Sequence, residues 1–101
     1  WTAAYSASKG GISAFSKTLA VEYGTKGLNV NCVCPASIDT PMTANPNLPA
    51  DIDTRLLKKI MPVDGVNRSP DDIASTIAFL ASDDAIHING IDLRVDGGLL
   101  T

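Results

Sequence analysis

The stretch Leu28-Asn29-Val30-Asn31-Cys32-Val33-Cys34-Pro35 decides the fold class. It is largely apolar, β-branched in part and stopped by proline, so it reads as a strand over 28–34. A mostly apolar strand that follows a helix belongs to a parallel sheet covered on both faces, which places the chain in the α/β class. Asn31 is the odd residue in such a strand. A polar amide there needs partners, and a hydrogen-bonded structural role is expected for it.

Toward the amino end, Ile12, Phe15, Leu19 and Tyr23 recur at helical spacing and predict a helix running to about Tyr23. Gly24 is expected at the position that ends it. Ala3, Ala4, Ala7, Gly10, Gly11 and Ala14 make the early part of this helix thin, so that a ligand, a backbone or a second helix can come close. Toward the carboxyl end, Pro35–Met42 is loop chemistry at the carboxyl edge of a strand, the edge at which open α/β sheets bind ligands. Residues 43–67 then carry Pro46, Pro49, Pro62 and Gly65, with Ile52, Leu56 and Ile60 spaced for a short amphipathic helix. A long connection of this kind is a lid or binding loop, and a plain surface excursion shares the pattern.

Ser69-Pro70-Asp71-Asp72 has the chemistry of a helix start: serine at the N-cap, proline at N1, acids in the first turn. Ile73, Ile77 and Leu80 are its expected buried face, and Ser82-Asp83-Asp84 ends it. Ile91-Asp92-Leu93-Arg94-Val95 alternates as a second strand, and Asp96-Gly97-Gly98 turns the chain after it. The order helix, strand, long helical connection, strand predicts two parallel neighbours joined by a right-handed crossover. Two strands are too few for a stable parallel sheet, and the chain opens on Trp1 directly at the start of a helix, with no strand or cap before it; a piece of a longer chain is expected.

The composition narrows the function. At 101 residues and 45% hydrophobic content the chain fits one small globular domain rather than a disordered segment. The net charge of −3 and the lack of any basic run argue against nucleic acid and against an anionic membrane surface. No apolar stretch nears the roughly 20 residues of a bilayer span. Cys32 and Cys34 are two apart, poorly spaced for a disulfide, and no His/Cys cluster accompanies them. Two reduced thiols in a cytoplasmic protein without a metal are expected.

One pair carries chemistry. In Tyr5-Ser6-Ala7-Ser8-Lys9 a phenol and an ammonium stand four residues apart. On a helix that is about 6 Å of rise and about 40° of rotation, which puts both on one face. A cation within about 4–6 Å favours a phenolate, and a phenol so assisted can act as a general acid or base near neutral pH. A surface helix with an incidental pair would show the same spacing.

Four separated motifs give the pair its context. Tyr5-Ser6-Ala7-Ser8-Lys9-Gly10-Gly11 resembles the catalytic Tyr-x-x-x-Lys helix of the short-chain dehydrogenase/reductase family, and Asn31-Cys32-Val33-Cys34-Pro35-Ala36-Ser37-Ile38-Asp39-Thr40-Pro41-Met42 its nicotinamide-side strand and loop. Ser69-Pro70-Asp71-Asp72-Ile73-Ala74 with Phe79-Leu80-Ala81-Ser82 is similar to its late helix, and Gly90 with Val95-Asp96-Gly97-Gly98 to its last strand and tail. The resemblance covers essentially the whole chain, with 3-oxoacyl reductase-like and secondary-alcohol dehydrogenase members in view.

The resemblance implies that residues 1–101 are the carboxyl-terminal part of a single Rossmann-type domain, a doubly wound parallel sheet whose amino-terminal part is absent. It implies hydride transfer between NAD or NADP and a small-molecule alcohol or carbonyl. Tyr5 would be the general acid/base and Lys9 would assist it and bind the nicotinamide ribose. Pro35 and Ala36 would shape the cofactor loop, the Ile38 backbone would meet the carboxamide, and Thr40 would support the same end. A cytoplasmic homo-oligomer, tetramer or dimer, is implied as well. Met42, Leu48, Ile52, Leu56 and Met61 make the loop region apolar, which hints at a hydrophobic substrate.

Two departures stand out. Ala36 replaces a common glycine, which costs little only if its φ is negative, and it leaves room for a non-catalytic structural or regulatory relative. His87-Ile88-Asn89-Gly90 replaces a more usual aromatic-Ile-Thr-Gly run, and His87 reads as an exposed loop histidine. The family's serine and glycine-rich phosphate loop have no counterpart here, so these residues alone are expected to be inactive.

Overall fold

The computed structural model describes residues 2–57, 59 and 61–99. The elements in chain order are helix α1 (Ala3–Gly24), strand β1 (Cys32–Pro35), helices α2 (Pro41–Ala44), α3 (Thr54–Leu57) and α4 (Pro70–Leu80), a 3-10 turn (Asp83–Ala85) and strand β2 (Asp92–Val95). The chain folds into two compact units. The first comprises the residues up to Val33 with Ile77–Leu93, the second Cys34–Thr76 with the residues from Arg94 on.

β1 and β2 are neighbours in a two-stranded sheet. The Cys32 amide donates to Ile91 O at 2.9 Å and the Ala36 amide to Val95 O at 3.3 Å, so both strands advance together, the parallel arrangement expected from the element order.

In the first unit, α1 is an unbroken 22-residue helix. It includes Gly24 as its last residue, and the positive φ falls later, at Gly27 (+78°). The turn is therefore made by Gly27, which corrects the expectation for Gly24. β1 is shorter than 28–34 because side-chain amides interrupt the ladder before it, where the one backbone bond of Val30 among the described residues is from Gly90 N to its carbonyl at 2.9 Å. Val30 N donates to Asn89 Oδ1 at 2.8 Å, and Asn29 Nδ2 to Ile86 O at 2.7 Å. Asn31 has the structural role expected of it: its Nδ2 donates to Ile88 O at 2.8 Å and its Oδ1 accepts Ile91 N at 3.2 Å. Asn89 Nδ2 completes the clamp on Ala20 O of α1, at 3.1 Å. Asp92, at the start of β2, accepts from Ser13 Oγ at 2.7 Å and pairs with Lys17, one helical turn further along α1. Together these bonds hold Asp92 below the usual carboxylate range, Lys17 first and Ser13 second.

In the second unit, Ser69 precedes α4 as predicted. Its Oγ accepts Asp71 N at 3.2 Å while Asp72 Oδ2 accepts Ser69 N at 2.9 Å, the reciprocal logic of a capping box with aspartate in place of glutamate. Ile73 is buried and Leu80 half-buried, but Ile77 is 52% exposed and does not belong to a buried face among the described residues. The helix expected around Ile52, Leu56 and Ile60 is the single turn α3; Ile60 lies outside the described residues. The turn after β2 is as read, with Gly97 at φ +60° and Gly98 at +81°. A Cβ on Gly97 would sit 3.1 Å from the Cβ of the buried Pro62, and Val63 N donates to Gly97 O at 3.2 Å, so the tail turn is seated on the end of the long connection.

Buried apolar side chains are few: Ala20, Pro62, Ile73 and Ala85 among the described residues. Ile12, Phe15 and Tyr23, which the sequence pattern places on one face of α1, are exposed at 52, 62 and 39%. No described residue stands within 4 Å of where a Cβ would project from Gly10 or Gly11. No helix among the described residues is long and apolar enough to cross a membrane.

Candidate active site

The first unit carries the Tyr5/Lys9 pair, on the first turns of α1. The helix places the Lys9 ammonium 5.6 Å from the centroid of the Tyr5 ring, within cation–π range. Tyr5 is 61% exposed, and its hydroxyl has no hydrogen-bond partner among the described residues. Lys9 makes no ion pair among them either. Both polar groups are thus available to a ligand. Ser8 is not: its hydroxyl donates to the Tyr5 backbone carbonyl at 2.7 Å and serves the helix. His87 is exposed, as read from the sequence.

The second unit carries Pro35, Ala36, Ile38 and Thr40. Pro35 ends β1, and the Ala36 amide extends its pairing by one bond to Val95. No described residue other than glycine has positive φ. Ala36 therefore adopts ordinary backbone angles, and alanine carries no left-handed strain in place of glycine.

Ile38 forms a parallel bridge with Arg68: Arg68 N donates to Ser37 O at 3.2 Å and Asp39 N to Arg68 O at 2.8 Å. These two bonds use the groups on either side of Ile38. The Ile38 carbonyl accepts the Thr43 hydroxyl at 2.5 Å, while the Ile38 amide has no acceptor among the described residues. Arg68 is itself anchored by Asp64, whose carboxyl is held below its usual range by the Val66 amide first and then by Arg68. Thr40 precedes α2, with Pro41 at the first helical position. Its amide donates to Thr43 Oγ1 at 3.0 Å and the two threonine hydroxyls are 3.2 Å apart.

Sequence reasoning read this segment as loop and missed both α2 and Thr43. The signal was present in Thr40-Pro41-Met42-Thr43, a threonine N-cap, a proline at N1 and a hydroxyl at N3. Arg68 carried no sequence signal, because its role is made by backbone groups that any residue has.

Beside this segment lies an open cavity of about 300 Å³. Met42, Pro46, Leu48, Leu57 and Met61 form its apolar wall, with Ser37 and Thr43 the polar residues. The structure brings together Met42, Leu48 and Met61 of the expected apolar set. Ile52 and Leu56 do not line it, and Leu57 takes the place expected of Leu56. Cys32 and Cys34 are half-buried, and no group of three or more metal-ligating side chains occurs among the described residues.

Residues 2–100 match the family described as Enoyl-(Acyl carrier protein) reductase. The chain is 37% identical over 98% of its length to a 3beta-hydroxysteroid dehydrogenase of Mediterraneibacter gnavus, and 43% identical over 94% to the 3-oxoacyl-[acyl-carrier-protein] reductase FabG of Chlamydia trachomatis. Among solved structures it matches an oxidoreductase of the short-chain dehydrogenase/reductase family from Burkholderia thailandensis over 97% of its length, at 41% identity and TM-score 0.75. It also matches a dehydrogenase/reductase from Sinorhizobium meliloti at 35% identity and TM-score 0.81. The chain belongs to the short-chain dehydrogenase/reductase family, a family of oxidoreductases with a Rossmann-like α/β fold. It spans between 37% and 42% of the length of these four relatives.

Proposed function

We propose that this chain is the carboxyl-terminal part of a single, doubly wound Rossmann-type domain, and that the full-length protein transfers hydride between NAD or NADP and an alcohol or carbonyl. The observation that carries the reading is the Tyr5/Lys9 pair itself, exposed on an unbroken helix with the ammonium 5.6 Å from the ring. Bound NAD(P) supplies or takes the hydride. Tyr5 delivers a proton to the alkoxide oxygen in reduction and takes it back in oxidation. Lys9, whose ammonium stands 5.6 Å from the centroid of the Tyr5 ring, assists Tyr5 and binds ribose hydroxyls.

The loop residues fit a nicotinamide carboxamide. The Ile38 amide is a donor without a partner among the described residues, and Thr40 carries a hydroxyl two residues further along the chain. Pro35 and Ala36 set the direction in which that loop leaves β1, and the ordinary φ of Ala36 is in keeping with a working cofactor loop. The apolar wall of the cavity at Met42, Leu48 and Met61 supports a hydrophobic ring or acyl ketone as substrate. In keeping, relatives of this chain are named for a 3beta-hydroxysteroid, for cis-4-hydroxycyclohexanecarboxylate and for 3-oxoacyl carriers. The exposed Ile12 and Phe15 and the open space at Gly10 and Gly11 support a homo-oligomer, dimer or tetramer, and a cytoplasmic location is part of the same proposal.

The test is oxidation of NADH and NADPH by the full-length protein over a panel of cyclic and acyl ketones. Turnover with at least one ketone is expected. Cofactor binding without turnover on any of them would instead identify a structural or regulatory relative.

A further inference from the structure

We propose that Thr43 is the positioning residue that sets the polarity of the carboxamide-holding loop; the inference rests on the roles given above to Ile38 and Thr40. The Thr43 oxygen lies 2.5 Å from Ile38 O, 3.0 Å from Thr40 N, 3.2 Å from Thr40 Oγ1 and 3.0 Å from Thr40 O. A hydroxyl has one proton and two lone pairs. The proton goes to a carbonyl, and the Ile38 carbonyl is the nearer. The lone pairs are left for the Thr40 amide and the Thr40 hydroxyl. That makes the Thr40 hydroxyl the donor in its contact with Thr43.

Thr40 Oγ1 faces the Thr43 backbone N–H as the other half of a capping box, and with its own proton committed its remaining lone pair is an acceptor, while the nearby Ile38 amide has no acceptor among the described residues. An acceptor and a donor on one loop are the complement of a primary carboxamide, which offers an N–H and a C=O. Removing the Thr43 hydroxyl frees the Thr40 proton to rotate and releases the Ile38 carbonyl, so both halves of the complement loosen. The rest of the cofactor does not depend on this network.

The experiment compares cofactor dissociation constants of the full-length protein by nicotinamide fluorescence, and of ADP-ribose (or its phosphorylated counterpart if NADPH is preferred) by calorimetry. Thr43→Val is expected to bind the reduced cofactor about three- to tenfold more weakly, the loss of one ordinary hydrogen bond, with ADP-ribose unchanged. Thr43→Ser, which keeps the hydroxyl, is expected to bind both as the wild type does. Unchanged binding of reduced cofactor by Thr43→Val would overturn the proposal, as would an equal loss for ADP-ribose or a loss in Thr43→Ser. If the wild type binds ADP-ribose and the reduced cofactor equally well, the roles of Ile38 and Thr40 fall, and this proposal with them.

Discussion

At the scale of single residues, Asp92 shows how a charge is used to fix a strand on a helix. Its carboxyl is held down by Lys17 and Ser13, so the unfolded chain binds its proton more readily than the folded one. Its contribution to stability is therefore complete above the unfolded value of about 4 and is lost as pH falls through the lower folded value. Melting of the full-length protein against Asp92→Asn is expected to show a wild-type advantage near neutral pH that disappears in acid. A constant difference across that range would separate the effect from ionisation. Asn31 was legible at this scale because a lone amide in an apolar strand demands partners, and the structure supplies Ile88 and Ile91. Thr43 was not read, because a threonine in a proline-flanked loop becomes informative only once α2 is recognised.

At the scale of elements, the readings held where one local signal dominated. Ser69-Pro70-Asp71-Asp72 has few alternatives to a helix start, and α4 begins there. Periodicity overstated the buried faces: Ile12, Phe15 and Ile77 have helical spacing, yet they are exposed among the described residues, since spacing defines a face and not what covers it. β1 was read too long because Asn29 and Asn89 take the backbone or loop bonds that a ladder would use. The turn after β2 tests the element scale. Gly97 has φ +60° and a Cβ added there would crowd Pro62, so Gly97→Ala should destabilise the protein by about 1–2 kcal/mol from the left-handed backbone alone. Denaturant unfolding of the full-length variant measures it, and a change near zero would show that the turn can relax.

At the scale of the whole molecule, a short list of buried apolar residues accompanies a long list of exposed ones, among them Val21, Leu28, Ile77 and Phe79. The proposed doubly wound domain gives those faces their cover. Residues 1–101 expressed alone are then expected to show no hydride transfer and to bind a hydrophobic dye, whereas the full-length protein does the reverse. The α/β class and the family were legible from four ordered motifs, because each depends on local chemistry. The cofactor preference was not legible, because none of the four motifs bears on the adenine end of the cofactor. The most direct measurement is turnover of the full-length protein and its Tyr5→Phe variant on a ketone substrate, with cofactor affinity measured alongside. Loss of the proton donor is predicted to lower kcat by at least about a hundredfold while the cofactor still binds. Wild-type turnover in Tyr5→Phe would contradict the role of Tyr5 as the acid and base of this site.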